Sequence, residues 1–279
     1  MKMLDRYAVI GNPVRHSRSP RIHQLFAAQF GSEVDYQAVQ LEQRELASWV
    51  LDFFRDSGKG LNVTVPFKQQ AYDLAEVRSE RAQRAGAVNT LLTGKDGRLY
   101  GDTTDGVGLL RDLQRQGCSP EGRSVLLLGA GGAARSVLGP LVDSRPNRLA
   151  IANRTVAKAA ELAELMADSG VIQVFSYEQL AAQSTGWDLV INATSASLGQ
   201  QVPDLPGKLW TDHGVAYDMV YGSEPTAFLR FAADQGVVSC IDGLGMLVEQ
   251  AAESFFLWRG QRPVVEPVIA RLRQEMHVP

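Results

Sequence analysis

The chain has 279 residues, room for one large domain or two modest ones, and its 45% hydrophobic and 21% charged residues are the balance of an ordinary globular protein. A formal net charge of -3 excludes the global basic excess of a nucleic-acid binder. Two cysteines, Cys118 and Cys240, exclude a disulfide framework, and four histidines (His16, His23, His213, His277) without H-x-x-x-H or paired C-x-x-C spacing exclude a recognisable zinc site. The expectation is a soluble, cytoplasmic protein with no metal, nucleic-acid or membrane partner.

In chain order, Tyr7–Ile10 is a short apolar run ended by Gly11-Asn12-Pro13. It is too short for a signal-peptide core and reads as a first strand. Pro20–Phe30 has helical periodicity, with Ser19 as cap and Pro20 in the first turn. Asp35–Leu41 reads as a strand, Leu46–Phe54 as a helix, and Gly60–Val65 as a buried strand stopped by Pro66. The three arginines of Arg78–Arg84, interrupted by Glu80, suit a solvated helix face. Val88–Leu92 and Leu99–Tyr100 form a hairpin through Gly94–Gly97.

The middle of the chain is a βαβ unit. Val125–Leu128 is a continuous apolar run, as in a parallel strand covered on both faces. A glycine-rich turn, a helix over Ala133–Leu141 and a strand at Leu149–Ala152 follow. The apolar stretch Val125–Val142 contains Arg135 and several glycines, which makes it poor membrane material. Further strands are expected at Leu189–Asn192, Val215–Asp218 and Val237–Ser239, with helices at Thr155–Ala167 and Thr226–Gln235. This alternation predicts a doubly wound parallel sheet. A long helix, Met246–Trp258, and a last helix after Pro263 and Pro267 complete the chain. The expected crossovers lie in Gly101–Gly108 and Asp242–Gly245, so that the C-terminal helices return to the first domain.

Gly129-Ala130-Gly131-Gly132-Ala133-Ala134 matches the G-x-G-x-x-A dinucleotide turn. The first glycine permits the tight turn, the second lets the backbone approach a pyrophosphate, and the small third position lets the helix close on the strand. At the end of the next strand an NAD site places an acid on the ribose 2′-hydroxyl. This chain has Asn153-Arg154-Thr155 instead, with Lys158 one turn on. Arg154 can stack on adenine and grip a 2′-phosphate, so the expected cofactor is NADP(H).

Removing a hydride from a secondary alcohol requires a base for the hydroxyl proton. Lys68 follows Pro66 and is expected on a loop at the sheet edge; Asp105 sits in a Thr-Thr-Asp-Gly turn. If they meet, each stabilises the other's charge. Separately, each has an ordinary alternative: a surface lysine, and a helix cap for Val107–Leu113. Ser17 and Ser19 offer two hydroxyls suited to a substrate carboxylate, although Ser19-Pro20 is also a helix start. Thr64 and Asn89 add neutral donors suited to a polyhydroxylated ring.

These residues closely resemble the shikimate dehydrogenase family. The likeness is carried by G-N-P-V-x-H-S-x-S-P-x-I-H at Gly11–His23, N-V-T-V-P-F-K at Asn62–Lys68, G-A-V-N-T at Gly86–Thr90 and T-D-G at Thr104–Gly106. It continues through G-A-G-G-A at Gly129–Ala133, N-R-T at Asn153–Thr155, N-A-T-S at Asn192–Ser195, Y-D-M-V-Y at Tyr217–Tyr221 and D-G-L-G-M-L-V-x-Q-A at Asp242–Ala251. The resemblance implies an α/β protein of two domains: a substrate-binding domain over residues 1–105 plus 243–279, and a Rossmann-like NADP-binding domain over 106–242. The implied activity is NADP-dependent interconversion of 3-dehydroshikimate and shikimate, on the way to chorismate and the aromatic amino acids, by a monomer or homodimer.

By the same likeness Lys68 is the general acid/base, and Asp105 is its partner and also a substrate ligand. Ser17, Ser19, Thr64, Asn89, Tyr221 and Gln250 hold the substrate. Glu80, Gly129, Ala130, Gly131, Gly132, Ala133, Asn153, Arg154, Thr155, Lys158, Thr194, Met219 and Gly243 line the cofactor. Met219 is equally read as a core methionine. The family commonly has asparagine where Thr103 stands. Quinate/shikimate dehydrogenases of the superfamily often carry threonine at the Ser19 position and an acid at the cofactor strand end, unlike this chain. A non-catalytic NADP-sensing regulator would lack Lys68 or Asp105, and a methylenetetrahydrofolate-dehydrogenase-like enzyme would lack the paired serines and N-V-T-V-P-F-K.

Overall fold

A computed structural model describes residues 4–167, 170, 172–183 and 185–277. It divides into two compact units, one comprising the chain up to Gly108 with Val248–Leu272, the other Leu109–Leu247 with the segment from Arg273.

The first unit is built on a six-stranded mixed sheet of order β2-β1-β3-β5-β6-β4. Its strands are β1 (Asp5–Gly11), β2 (Val34–Gln40), β3 (Gly60–Val63), β4 (Val77–Arg78), β5 (Thr90–Thr93) and β6 (Leu99–Asp102). β1, β2 and β3 run parallel, and β5 and β6 form the antiparallel hairpin expected around Gly94–Gly97. The helices are α1 (Ser19–Gln29), α2 (Leu46–Arg55), α3 (Lys68–Leu74) and α4 (Glu80–Ala85). On α2, Leu46, Val50 and Phe53 fall on one face and are buried. They join Ile10, Leu61, Phe67 and Leu91 in a continuous core, each large side chain contributing roughly 1.5–3 kcal/mol.

Several expectations for this unit are corrected. Ser19 is the first residue of α1 rather than its cap: Arg18 holds the cap position, and the Ser17 hydroxyl accepts the Ser19 N–H at 3.2 Å. β3 ends at Val63; Val65 turns out to solvent, 65% exposed, ahead of Pro66, which has no N–H to continue the ladder. Lys68 opens α3 instead of standing on a loop, and β3 is interior to the sheet, not its edge. The hairpin strand starts at Thr90, two residues later than Val88. The arginine run is not wholly a surface face, because Arg81 is drawn into an ion pair with Asp102.

The second unit holds the doubly wound sheet that the alternation predicts. All strands pair in parallel, in the order β12-β11-β10-β7-β8-β9. These are β7 (Ser124–Leu128), β8 (Arg148–Ala152), β9 (Gln173–Phe175), β10 (Trp187–Asn192), β11 (Trp210–Asp218) and β12 (Ser239–Asp242). The helices are α5 (Asp105–Arg115, entering from the first unit), α6 (Gly132–Asp143), α7 (Val156–Glu164), α8 (Tyr177–Ala181) and α9 (Ala227–Asp234). Val125, Leu126, Leu127 and Leu128 are all fully buried, because α-helical layers cover both faces of β7. The winding reverses between β7 and β10, and a crevice at such a switch point is where open α/β sheets bind ligands.

β12 lies at Ser239–Asp242 and not at Val237–Ser239; Val238 is 98% exposed, so its apolar character misplaces the strand. α7 ends at Glu164 and not at Ala167. The chain ends in α10 (Leu244–Arg259) and α11 (Glu266–Met276); the latter begins before Pro267, which sits in its first turn. No helix among the described residues is long and apolar enough to cross a membrane.

Candidate active site

In the first unit the segment between β3 and α3 is anchored at both ends. Thr64 donates its N–H to Ile10 O at 2.9 Å, Asn12 donates to Val65 O at 2.9 Å, and Val88 donates to Lys68 O at 2.9 Å. Phe67 is fully buried and roots the segment in the core. Lys68 therefore leaves a fixed backbone, and its Nζ lies 2.5 Å from Asp105 Oδ2. Asp105 is the first residue of α5, where the free N–H groups of the helix favour a carboxylate. Its other oxygen, Oδ1, accepts from Asn89 Nδ2 at 2.8 Å. The Lys68 and Asp105 side chains are 20% and 10% exposed, so the pair is partly shielded yet reachable.

Asn89 joins these groups to the rest of the site. Its Oδ1 accepts from the Thr104 N–H at 2.9 Å and from Thr90 Oγ1 at 2.8 Å, and its Nδ2 lies 3.4 Å from Gln250 Oε1 on α10. Ser17 is half-buried beside the start of α1, and Ser19 is buried. Thr64 is half-buried at the end of β3. Thr103 is 3% exposed and its hydroxyl has no hydrogen-bond partner, while its N–H donates to Asp102 Oδ1 at 2.7 Å. The exchange for asparagine thus leaves the Asp105 contacts in place.

The second unit carries the glycine turn at the C-terminal end of β7. Gly129 has φ +102°, a conformation that strains any L side chain, and a Cβ there would also be tight, 3.1 Å from Thr194 and 3.3 Å from the Ala193 backbone. At Gly131 and Gly132 a Cβ would meet nothing within 4 Å. The turn therefore presents open space in front of the first N–H groups of α6, a twelve-residue helix, which fits a dinucleotide pyrophosphate. Ala134, the small third position, is fully buried against the sheet. At the end of β8, Asn153 is fixed by its Nδ2 bond to Thr155 O at 2.8 Å, and Arg154 and Lys158 are exposed. Two cations with no acid at this strand end fit a 2′-phosphate rather than a free ribose hydroxyl.

Thr194, Met219, Tyr221 and Gly243 lie at or beyond the C-terminal ends of β10, β11 and β12. The Thr194 N–H and hydroxyl donate to Asn192 Oδ1 at 3.1 and 2.7 Å. Met219 is half-buried and packs against the core of the second unit, and a Cβ on Gly243 would lie 2.2 Å from Met219 O. Tyr221 is half-buried two residues on. Glu80 belongs to the first unit, exposed in the first turn of α4.

Sequence reasoning passed over two organising residues. Asp218 is fully buried and accepts from Ser197 and Thr226 hydroxyls at 2.6 Å each, from the Val220 N–H at 3.0 Å and from Asn192 Nδ2 at 3.1 Å. Burial pushes its pKa above the usual carboxylate range, against those four donors. It stitches together the loops that carry Thr194 and Met219. The other is Asn62, whose Nδ2 reaches Ser254 Oγ at 3.0 Å and whose Oδ1 accepts from the Tyr36 phenol at 2.7 Å. Both stand inside the motifs Y-D-M-V-Y and N-V-T-V-P-F-K; only burial singles them out.

Comparison with known proteins gives a consistent result. Residues 9–91 match the family described as "Shikimate dehydrogenase substrate binding domain", 113–199 "Shikimate / quinate 5-dehydrogenase", and 243–273 "Shikimate 5'-dehydrogenase C-terminal domain". The chain is 55% identical over 272 residues to the shikimate dehydrogenase (NADP(+)) of Chromohalobacter salexigens, covering 98% of this chain and 99% of that one. Among solved structures it is similar to an Ael1 enzyme from Pseudomonas putida (TM-score 0.89, 44% identity, 99% of each chain). It is also similar to shikimate 5-dehydrogenase from Thermus thermophilus in complex with NADP(H) and shikimate (TM-score 0.86, 35% identity, 98% of this chain and 99% of that one).

Proposed function

The chain belongs to the shikimate dehydrogenase family, and from that premise we propose that Lys68 is the general acid/base of its reaction, with Asp105 as partner. The protein is an NADP-dependent oxidoreductase that interconverts 3-dehydroshikimate and shikimate. The observation carrying the residue assignment is the 2.5 Å Lys68–Asp105 pair, whose carboxylate is held from its other side by Asn89. Such a pair can be kept in register while one member exchanges a proton with a substrate hydroxyl.

In the oxidising direction Lys68, in its neutral form, takes the proton of the secondary hydroxyl as the carbinol C–H bond breaks; in reduction the ammonium returns it to the carbonyl oxygen. Bound NADP+ supplies the hydride acceptor and NADPH the donor. Asp105 orients Lys68 and accepts from a substrate hydroxyl. Ser17 and Ser19 hold the ring carboxylate, and Thr64, Asn89, Tyr221 and Gln250 hold the remaining hydroxyls. Residues 1–105 and 243–279 serve the substrate and 106–242 the cofactor. Gly129, Ala130, Gly131, Gly132 and Ala133 face the pyrophosphate; Asn153, Arg154, Thr155 and Lys158 the 2′-phosphate and adenine; Thr194, Met219 and Gly243 the nicotinamide end. Glu80 completes the cofactor set. The reading includes a cytoplasmic monomer or homodimer with no nucleic-acid partner.

The test is absorbance in the reduced-nicotinamide band, with shikimate or quinate and with NADP+ or NAD+. Rapid reduction with shikimate and NADP+, weak with the other pairs, is expected. Equal rates with quinate would replace this reading by a broader quinate/shikimate specificity, and no turnover from folded, cofactor-binding protein would overturn it in favour of a regulator.

Arg154→Ala is expected to raise KM for NADP+ by about 10- to 10²-fold, the worth of one or two charge-assisted hydrogen bonds. KM for shikimate should stay near the wild-type value. Steady-state kinetics with each substrate varied checks this; an equal loss with NAD+ would show that Arg154 does not read the 2′-phosphate.

A further inference from the structure

Behind the 102–105 turn lies a row of four alternating charges, all in the first unit. Asp102 is 8% exposed, and its carboxylate is forked by Arg81: Nε to Oδ1 at 2.7 Å and Nη2 to Oδ2 at 2.8 Å. The same guanidinium reaches Glu253 Oε1 on α10, at 3.3 Å from Nη1 and 3.2 Å from Nη2. Glu253, 7% exposed, holds Arg262 at 2.7 Å through its other oxygen. Ser79 adds a hydroxyl donor to Asp102 Oδ1 while capping α4 at the Ala82 N–H. Two acids and two bases balance, and burial alone works against the Arg81 charge, but Asp102 and Glu253 more than compensate and raise its pKa.

Both acids of the row adjoin the active site. Asp102 accepts the Thr103 N–H at 2.7 Å, the next N–H (Thr104) goes to Asn89 at 2.9 Å, and the residue after that is Asp105. On α10, Glu253 lies three residues past Gln250 and beside Ser254, whose hydroxyl meets Thr90 at 2.8 Å, Asn62 at 3.0 Å and Thr104 at 3.3 Å. A guanidinium can fork one carboxylate and still present a second edge to another; an ammonium, a compact point charge, cannot do both with fixed geometry.

We propose that Arg81 is a positioning residue for the reaction, locking the turn that delivers Asp105 to the helix that delivers Gln250. The inference rests on the assignment of Lys68 and Asp105 above. Arg81 touches neither substrate nor cofactor; it acts through Asp102 and Glu253. Misplacing a catalytic group by ~1 Å costs on the order of 10²-fold in rate, so a loosened turn reads out in turnover before it reads out in folding.

The experiment compares Arg81→Lys, which keeps the charge and loses the fork, with Arg262→Gln, which removes only the outer member of the row. Steady-state kinetics are expected to show kcat/KM for shikimate lowered about 10- to 10²-fold in Arg81→Lys, with KM for NADP+ changed by less than about twofold. Arg262→Gln should stay within about threefold of wild type. Hydrogen–deuterium exchange of the full chain supplies a readout independent of activity: amides of Thr103–Asp105 should exchange faster in Arg81→Lys while those of β1 keep their protection. Unchanged exchange at Thr103–Asp105 overturns the proposal, whatever the kinetics. Faster exchange with unaltered shikimate kinetics overturns it too, leaving only a structural clamp. A rise in KM for NADP+ matching the loss with shikimate would mark general damage and equally sink the idea. Wild-type protein that fails to oxidise shikimate would instead sink the functional reading, and the exchange comparison would separate the two.

Discussion

Lys68→Met is expected to lower kcat by about 10²- to 10⁴-fold, the usual contribution of a positioned acid/base, while leaving cofactor binding intact. Methionine keeps most of the apolar stem and removes only the exchangeable charge. The variant leaves Asp105 with Asn89 as its remaining side-chain donor, in a site where the carboxylate side chain is 10% exposed. Losing a partner from a fully buried pair costs about 3–5 kcal/mol, and the partial exposure here places the cost below that range. Thermal unfolding must accompany the rate measurement, so that lost chemistry is separated from lost fold. NADPH fluorescence should report unchanged cofactor affinity, because the glycine turn and Arg154 are carried by the other unit. A folded variant keeping more than about a tenth of wild-type kcat would remove Lys68 from the acid/base role. Asp105→Asn tests the partner: it keeps the shape, replaces an acceptor by an amide that donates, and should depress kcat further than KM for NADP+.

The doubly wound sheet was legible because its strands are simple signals. Val125–Leu128 is apolar at every position and is buried at every position, and a glycine turn followed by a helix leaves few other topologies. The first unit was harder. β4 has only two residues, too few for any periodicity, and the mixed order β2-β1-β3-β5-β6-β4 depends on which strand edges meet, which no local pattern encodes. Val238 places the last strand two residues early, because an apolar residue need not be buried.

For the site, motif identity named Lys68 and Asp105, but their meeting across 37 positions is a tertiary fact. What escaped entirely was the layer behind them. Arg81 reads as one of three arginines on a helix face, and only the position of Asp102 on β6 and Glu253 on α10 makes it different from Arg78 and Arg84. Asp218 escaped for the same reason: its four donors come from β10, the loop after it, the loop after β11 and the start of α9. Side chains that organise a site through long-range partners carry no spacing signature.

His23 gives the fold its own pH dependence. Its ring is 1% exposed, stacked on Tyr36 at 4.5 Å between centroids and packed near Trp258 at 5.2 Å, Phe26 at 5.9 Å and Phe255 at 6.1 Å. Burial lowers its pKa from 6.5 to about 3, against a hydrogen bond with the Asn62 side chain that offsets the burial only in part. Nε2 has no hydrogen-bond partner, so an imidazolium would carry at least one proton without an acceptor. The native state therefore refuses a proton that the unfolded chain accepts below pH 6.5. The stability difference is absent above that pH, opens as pH falls, and levels off below about 3. At about 1.4 kcal/mol per unit, the loss reaches roughly 5 kcal/mol, comparable with the whole stability of many domains. His23→Gln cannot take up the proton in either state. Denaturant unfolding of wild type and variant at about pH 7 and pH 4 should show the wild type losing about 3 kcal/mol more than the variant over that interval, with carboxylate contributions cancelling in the difference. Equal losses would mean that His23 is protonated, and tolerated, inside the aromatic cluster.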